Sequence, residues 1–178
     1  MWKIKLFFDD RKEEEWINKM AAQGWHFKRI FLRLYFFEKG EKGEYIYRCD
    51  LLNNFGMGKE VQEYIQFVES TGAELVYKKL HWVYFRQHRA LGKFELYSDS
   101  ASKLGYLNRM LVLNGKVGLF NLLLAIVNGV AIKLNGGTQL NHFLNGFVMG
   151  IFLVVFISTI LLTLRRWNLK KQLALHEI

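Results

Sequence analysis

Residues 14–37, EEWINKMAAQGWHFKRIFLRLYFF, have a counterpart 48 residues later at 62–85, QEYIQFVESTGAELVYKKLHWVYF. The matched positions hold aromatic or aliphatic side chains or glycine: Trp16 with Tyr64, Ile17 with Ile65, Met20 with Val68, Gly24 with Gly72, Phe27 with Leu75, Leu32 with Leu80, and Phe37 with Phe85. Two copies are too few for a solenoid, which stacks at least three repeats. The sequence therefore predicts one domain made of two related halves, with a pseudo-twofold axis.

Each copy has the pattern of a helix followed by two strands. Trp16, Ile17 and Met20 have helical spacing and precede Gly24, a residue suited to end a helix. Asp10 and Glu13 have the spacing of a capping box at the start of the first helix. After the glycine, apolar and polar residues alternate as they do in strands.

A further strand precedes each copy, KIKLFF at 3–8 and EYIYRCDL at 44–51, and Phe94–Tyr97 is a candidate extra strand. We therefore predict an α+β fold, a duplicated βαββ domain over residues 1–99. Its antiparallel sheet would carry two helices on one face. This layout resembles the GyrI-like ligand-binding domains and, more loosely, the ferredoxin-like arrangement.

Aromatic residues are concentrated in this predicted domain, which holds 21 of the 28. That is more than one helix-covered face of a small sheet requires, so a second face is a candidate surface for a ligand or a partner. The six candidates are Trp25, Phe36, Tyr45, Tyr47, Trp82 and Tyr84. Core packing or contact between subunits is the simpler interpretation, and a groove for an apolar ligand or peptide is the alternative.

Two long apolar runs follow, at about 111–134 and 143–164, separated by the uncharged stretch LNGGTQLNH at 134–142. Each run has the roughly 20 residues that a membrane-spanning helix needs. A soluble helical hairpin would carry a charged stripe on its outer face, and these runs have none. The sequence predicts a transmembrane hairpin over 117–164, entered through an amphipathic connecting helix at 100–116 and followed by a basic cytosolic tail at 165–178.

Positive charge is concentrated around the hairpin. The net charge of +9 divides into +2 for residues 1–99 and +7 for the rest, so the folded domain lacks the excess of positive charge that a nucleic-acid binder has. Lysine and arginine flank the pair of runs and not their turn, which predicts a cell-membrane protein with both termini in the cytoplasm. The predicted interface anchors are Lys116, Lys133, Arg165, Arg166, Trp167, Lys170 and Lys171.

Asparagine recurs every seven residues along the first run, at positions 114, 121, 128 and 135. We expect Asn114, Asn121 and Asn128 to lie near one face of that helix. Gly146 and Gly150 form a small-residue pair on the second helix. Packing of the two helices on each other is one interpretation, and association with another membrane protein or with a second copy is the other.

The sequence contains no recognisable catalytic, metal or cofactor motif. The five histidines are scattered, and Glu13, Glu14 and Glu15 have the character of a solvated first helical turn. Cys49 is the one cysteine, which excludes an internal disulfide and fits a strand thiol in a reducing compartment. We therefore predict that the protein is not an enzyme and uses no cofactor.

Several strings together resemble the bacterial family of unknown function DUF2812: EEEWINKMAAQGWHF at 13–27, YFFEKGEKGEYIYRCDL at 35–51, WVYFRQ at 82–87 and ELYSDSASK at 95–103. The resemblance covers about residues 1–110, and this chain departs from the family pattern in having no proline. It implies membrane helices after the domain, a PadR-type regulator as a partner by family context, and an envelope-stress or regulatory setting.

Two functions fit these observations. In the first, a membrane-anchored regulatory or adaptor protein binds a protein partner or an apolar ligand through its cytosolic domain. In the second, a small integral-membrane accessory or immunity protein acts through its hairpin on a transporter or a toxin target.

Overall fold

The computed structural model divides the chain into two compact units, Met1–Ser98 and Asp99–Ile178. The structure describes residues 1–7, 9–53, 56–97 and 100–176. The first unit is an α+β fold, and the second consists of two long helices.

The first unit contains two successive βαββ modules, as the sequence repeat predicts. The first module comprises β1 (Trp2–Ile4), α1 (Asp10–Ala22), β2 (Trp25–Phe31) and β3 (Leu34–Lys39). The second comprises β4 (Tyr45–Leu51), α2 (Lys59–Ser70), β5 (Ala73–Lys79) and β6 (Trp82–His88), and a 3₁₀ turn at Arg89–Leu91 follows it. The candidate strand at 94–97 does not form.

Each module forms its own three-stranded antiparallel sheet, in the order β1-β3-β2 (sheet A) and β4-β6-β5 (sheet B). The single antiparallel sheet expected from the sequence is therefore divided in two. The sheets meet where β2 and β5 lie side by side, and there the Tyr77 hydroxyl donates a hydrogen bond to the Ile30 carbonyl at 2.7 Å.

The local conformation of the two modules matches at the helix ends and at the strand bulges. Gly24 and Gly72 end the helices with φ of +85° and +88°, a left-handed conformation that glycine adopts without strain. A bulge shifts the register between Phe27 and Arg29 in β2, and another does so between the equivalent Leu75 and Tyr77 in β5. The repeat in the sequence is thus a repeat in backbone geometry.

The helices lie on opposite faces of sheet B, unlike the expected pair on one face. Along β6, Val83 and Phe85 pack into the apolar cluster that contains Val61, Ile65 and Val68 of α2. Tyr84 lies between them in sequence and packs into the cluster that contains Ile17, Met20 and Ala21 of α1. Because side chains of a strand alternate between faces, α1 and α2 must cover different faces.

The start of α1 also differs from its predicted capping box. Asp9 is the N-cap, and its carboxylate accepts a hydrogen bond from the Arg11 backbone N–H at 3.0 Å. Asp10 is the first helical residue, and the Glu13 side chain accepts a hydrogen bond from the Tyr84 hydroxyl. The predicted capping box of Asp10 and Glu13 was therefore wrong, because the N-cap lies one residue earlier, at Asp9.

The second unit consists of α3 (Ser100–Asn135) and α4 (Gln139–His176), which contain both predicted apolar runs. Helix α3 is continuous, so the predicted connecting helix at 100–116 is its first part. Gly136 has a φ of +68° and starts a three-residue connection at 136–138. Both helices are long enough and apolar enough to cross a membrane.

Candidate functional site

The six aromatic candidates do not share one surface. Tyr47 and Tyr84 are 1% and 3% exposed and belong to the core cluster between α1, sheet A and sheet B, so these two have the core position of the simpler interpretation and do not line an exposed groove. Trp25, Tyr45 and Trp82 are partly buried and pack against that same cluster. Phe36 is also partly buried, and the Arg29 guanidinium lies 4.6 Å above its ring.

The polar centre of this core is Glu13 on α1. The Tyr84 hydroxyl donates a hydrogen bond to Glu13 Oε1 at 2.7 Å, and Tyr35 also bonds to this carboxyl group. Burial raises the pKa of Glu13 above its usual range, although both tyrosine hydrogen bonds oppose the shift. Burial and the nearby Glu13 charge raise the pKa of each tyrosine, so both phenols stay protonated.

Glu14 and Asn18 form a second polar group on α1, and this group lies along the edge of β4. Glu14 accepts hydrogen bonds from Arg48 Nη1 at 3.1 Å and from the Cys49 backbone N–H at 3.0 Å. Asn18 donates to the Tyr47 carbonyl at 2.9 Å and accepts from the Tyr47 N–H at 2.8 Å. Side chains of α1 thus take the place of a neighbouring strand along β4. The expected solvated first turn was wrong for Glu13 and Glu14, while Glu15 is exposed.

Cys49 is buried at the same edge. Burial raises the pKa of its thiol, and the negative charge of Glu14 raises it further. A nucleophilic cysteine needs the opposite shift, because the thiolate is the reactive form. The surroundings of Cys49 therefore suit a structural thiol.

Asp50 is the most buried carboxylate of the first unit, with 1% exposure. It accepts hydrogen bonds from the Leu51 backbone N–H at 2.6 Å, from the Tyr64 hydroxyl at 2.6 Å and from the Tyr97 hydroxyl. These contacts tie α2 and the segment after β6 to the end of β4. The pattern of β4 did not indicate that Asp50 is buried, because strand residues are expected to alternate between buried and exposed, whereas Cys49, Asp50 and Leu51 are all buried.

His26 lies at the opposite end of the strands and is 4% exposed. Its Nε2 is 2.8 Å from the Glu41 carbonyl, and its Nδ1 is 3.7 Å from a Glu44 carboxylate oxygen. The Tyr45 ring meets the His26 and His88 rings edge-on. Within the described ranges, no three His, Cys, Asp or Glu side chains form a group that could hold a metal ion.

The two long helices meet along a seam with heptad spacing, the spacing of paired helices. Buried or partly buried residues recur at steps of four and three on α3: Leu107, Leu111, Asn114, Gly118, Asn121, Ala125, Asn128 and Ile132. They also recur on α4: Asn141, Asn145, Val148, Phe152, Val155, Thr159, Leu162 and Arg166. The asparagines that recur every seven residues on α3 occupy one heptad position of this seam.

The three asparagines have three different partners. Asn114 donates to the Ser158 hydroxyl at 3.0 Å, and Asn128 donates to the Asn141 carbonyl at 3.3 Å, so both bond across the seam. Asn121 donates to the Val117 carbonyl of its own helix at 2.8 Å.

Gly146 and Gly150 do not belong to the seam. Both are exposed, and a Cβ added to either would meet no atom within 4 Å. The glycine that brings the helices together is Gly118, where a Cβ would lie 3.4 Å from Val155 Cγ1. The assignment of Gly146 and Gly150 to packing between these two helices was therefore wrong.

The predicted interface anchors lie at several levels of the hairpin. In the register set by the pair Asn114–Ser158, Arg165 and Arg166 are level with Leu107, about two turns into α3. Lys133 is exposed near the connection between the helices. Lys116 is exposed about 10 Å farther along α3 than Arg109, given a rise of about 1.5 Å per residue. Trp167, Lys170 and Lys171 are exposed on the last turns of α4.

Comparison with known proteins identifies the family but no characterised relative. Neither the curated proteins nor the solved structures include a match to this chain. The family model described as "Protein of unknown function (DUF2812)" matches residues 9–119, which take in α1, β2 and β3 of the first module, all of the second module and the first half of α3. Since this match covers more than half of the sequence, the chain belongs to the DUF2812 family.

Proposed function

We propose that this protein is a membrane-anchored regulatory or adaptor protein whose cytosolic α+β unit binds a protein partner or an apolar ligand. The observation that carries the membrane anchorage in this proposal is the apolar outer surface of α3 and α4. Phe120, Val127, Phe143 and Phe147 are all more than half exposed, and they are typical of that surface. Soluble monomers rarely expose continuous apolar surface of this extent, whereas lipid chains would cover it.

The distribution of charge supports an orientation with both termini in the cytoplasm of the cell. Because α3 and α4 are antiparallel, Arg165, Arg166, Lys170 and Lys171 lie at the same end as Lys103 and Arg109. The opposite end carries Lys133. Lysine and arginine are enriched in the short loops and at the span ends that lie on the cytoplasmic side of a membrane.

We propose that the first unit serves binding and not catalysis. Glu13, Glu14 and Asp50 are buried or partly buried carboxylates, and the hydrogen bonds of all three hold elements of the fold together. Burial keeps the Cys49 thiol protonated. A regulatory role in envelope-stress or transcriptional signalling, with a PadR-type regulator as one partner to test, is consistent with such a unit.

The decisive experiment replaces residues 100–176 with an unrelated two-span anchor of the same topology. We expect the chimera to keep the phenotype and the protein partner recovered in mild detergent. Loss of both, with the first unit still folded, would contradict the adaptor proposal.

A second candidate is an accessory or immunity protein that acts through its hairpin on another membrane protein. Gly146 and Gly150 favour it, because they present an open small-residue face on which a foreign helix can approach closely. Changing both to isoleucine should then abolish recovery of the partner. Gly115→Ile is the matched control, since a Cβ at Gly115 also meets nothing within 4 Å. Equal recovery from both variants would exclude this face as the contact.

A further inference from the structure

The turns of the two equivalent hairpins form one apolar tip on the first unit. Leu32, between β2 and β3, is 76% exposed, and Leu80, between β5 and β6, is 64% exposed. Lys79 Nζ lies 5.2 Å from the centre of the Phe31 ring, so the turns are neighbours. We call residues 29–33 and 78–81 together the twin-turn tip.

Other exposed apolar side chains extend the tip. Ile4 is 69% exposed and pairs in register with Leu34, directly after the first turn. Met57 is 67% exposed and follows Gly56, whose carbonyl accepts a hydrogen bond from Lys78 Nζ at 3.0 Å. An exposed apolar area built from several separate segments is typical of an interaction surface.

The charges of the tip all have the same sign. Arg29, Arg33, Lys78 and Lys79 are exposed within it, and its two segments contain no aspartate or glutamate. The topology brings four acidic residues to this end. Asp50 is buried at the end of β4, and Asp9, Asp10 and Glu60 belong to the caps or first turns of α1 and α2, where the helix dipole favours negative charge. The tip therefore combines apolar side chains with a basic surround.

The backbone of the turns provides a separate argument. Leu32 and Leu80 have φ of 44° and 52°, a left-handed conformation that disfavours leucine and suits glycine or asparagine. Neither leucine contributes to the core, because both side chains are exposed. Folding alone therefore gives no reason for leucine at either position, and the same residue occupies both.

We propose that the twin-turn tip docks on the surface of an anionic lipid bilayer. Phe31, Leu32 and Leu80 would enter the boundary between headgroups and acyl chains, as apolar residues of interfacial segments do. The surrounding arginines and lysines would meet lipid phosphate and carboxylate groups, each contributing about fivefold to membrane affinity. The occupant is a bilayer and not an acidic protein because the same chain carries two helices suited to crossing one. The inference rests on the proposed membrane anchorage.

The test uses the full-length chain in lipid nanodiscs. Leu32→Cys, in a Cys49→Ala background, carries a fluorophore that reports polarity, and Glu41→Cys, at the exposed opposite end of the strands, is the matched control. Discs of phosphatidylcholine alone are compared with discs that also contain phosphatidylserine. We expect the label at 32 to shift to the blue and to be quenched by spin-labelled acyl chains in the anionic discs, while the label at 41 does not respond.

Charge reversal and a second label position make the result decisive. Arg33→Glu with Lys79→Glu should return the label at 32 to its aqueous emission, and a label at Leu80→Cys should behave as the one at 32. Labels at 32 and 80 that match the label at 41 in both lipids would overturn the proposal. So would a shift that requires an added protein. Incorporation into discs of either composition tests the membrane anchor separately, so the two proposals can fail independently.

Discussion

Asn18→Ala tests whether side chains of α1 stabilise the edge of β4. In the native structure the Asn18 amide both donates to the Tyr47 carbonyl and accepts from the Tyr47 N–H, at 2.9 and 2.8 Å. The variant removes both Asn18 hydrogen bonds from Tyr47, at the edge of β4 that β6 does not cover, while the Tyr47 carbonyl still accepts from Arg48 Nη1 at 3.0 Å. The change therefore tests the contact in which an α1 side chain bonds to the β4 backbone at the position where a neighbouring strand would bond.

The expected loss follows from the two hydrogen bonds. Each is worth about 0.5–1.5 kcal/mol net, so the pair contributes about 1–3 kcal/mol to the free energy of unfolding. Alanine is the better helix former by about 0.5 kcal/mol, which leaves a net loss of about 0.5–2.5 kcal/mol. Asn18→Asp should lose more, because its carboxylate would face the carbonyls of Tyr47 and Glu14 in place of the amide donor.

The assay is urea unfolding of the full-length chain in mild detergent, followed by tryptophan fluorescence. A Trp167→Phe background restricts the signal to the first unit, which holds the other four tryptophans. Lys19→Ala, at the exposed neighbouring position of α1, is the control and should change stability by less than about 0.5 kcal/mol. If Asn18→Ala is no more destabilising than Lys19→Ala, the α1 contact does not stabilise β4.

Three further predictions address strain, pH and topology. Leu32→Asn should leave the unfolding free energy unchanged or raise it by up to about 1 kcal/mol, because asparagine tolerates the left-handed turn and no buried contact is lost; a clear loss in urea unfolding would contradict this. The raised pKa of Glu13 means that the folded state binds the carboxyl proton more tightly than the unfolded state does. The contribution of Glu13 to stability therefore declines as pH rises above 4.5. Glu13→Gln should flatten that slope in a series of urea titrations at different pH. Gln139→Cys, at the exposed start of α4 and in a Cys49→Ala background, should be labelled by an impermeant maleimide in intact cells, and labelling only after lysis would contradict the orientation. Gly136 and Gly137 suit this test less well, because the first has a positive φ and a Cβ on the second would lie 2.8 Å from Ile132.

Features that depend on near neighbours were predictable from the sequence. The helix ends at Gly24 and Gly72 and the strand pairs after them follow from residues a few positions apart. The repeat strengthened these predictions, because each module had to adopt the same conformation. The asparagine recurrence likewise indicated one face of α3, since a seam between paired helices has the same seven-residue period.

Features that depend on distant partners were not predictable in this way. A glutamate in a first helical turn is usually solvated, and Glu13 joins the core through two tyrosines distant in sequence, Tyr35 and Tyr84, the second 71 residues away. Tyr84 alternates with the apolar residues Val83 and Phe85, so the sequence placed it on the face away from the helix of its own module. It gave no sign that α1 of the other module covers that face. Similarly, Gly118 and the pair Gly146–Gly150 have similar local sequence, and only the register of the helices distinguishes them.

The differences between the modules have a common cause in the position of α1. Helix α1 packs against its own sheet and against sheet B, whereas α2 packs against sheet B. At the positions of Glu13, Glu14 and Asn18, the second module has Val61, Gln62 and Gln66, so it lacks the groups that bond to Tyr84 and β4. The strands follow the same division: Phe27 is 1% exposed under α1, and its counterpart Leu75 is 37% exposed. A helix thus covers the strand at Phe27 but leaves its counterpart at Leu75 exposed to solvent. The reason is that only the helix of the first module carries the polar side chains that bind the sheet of the other module.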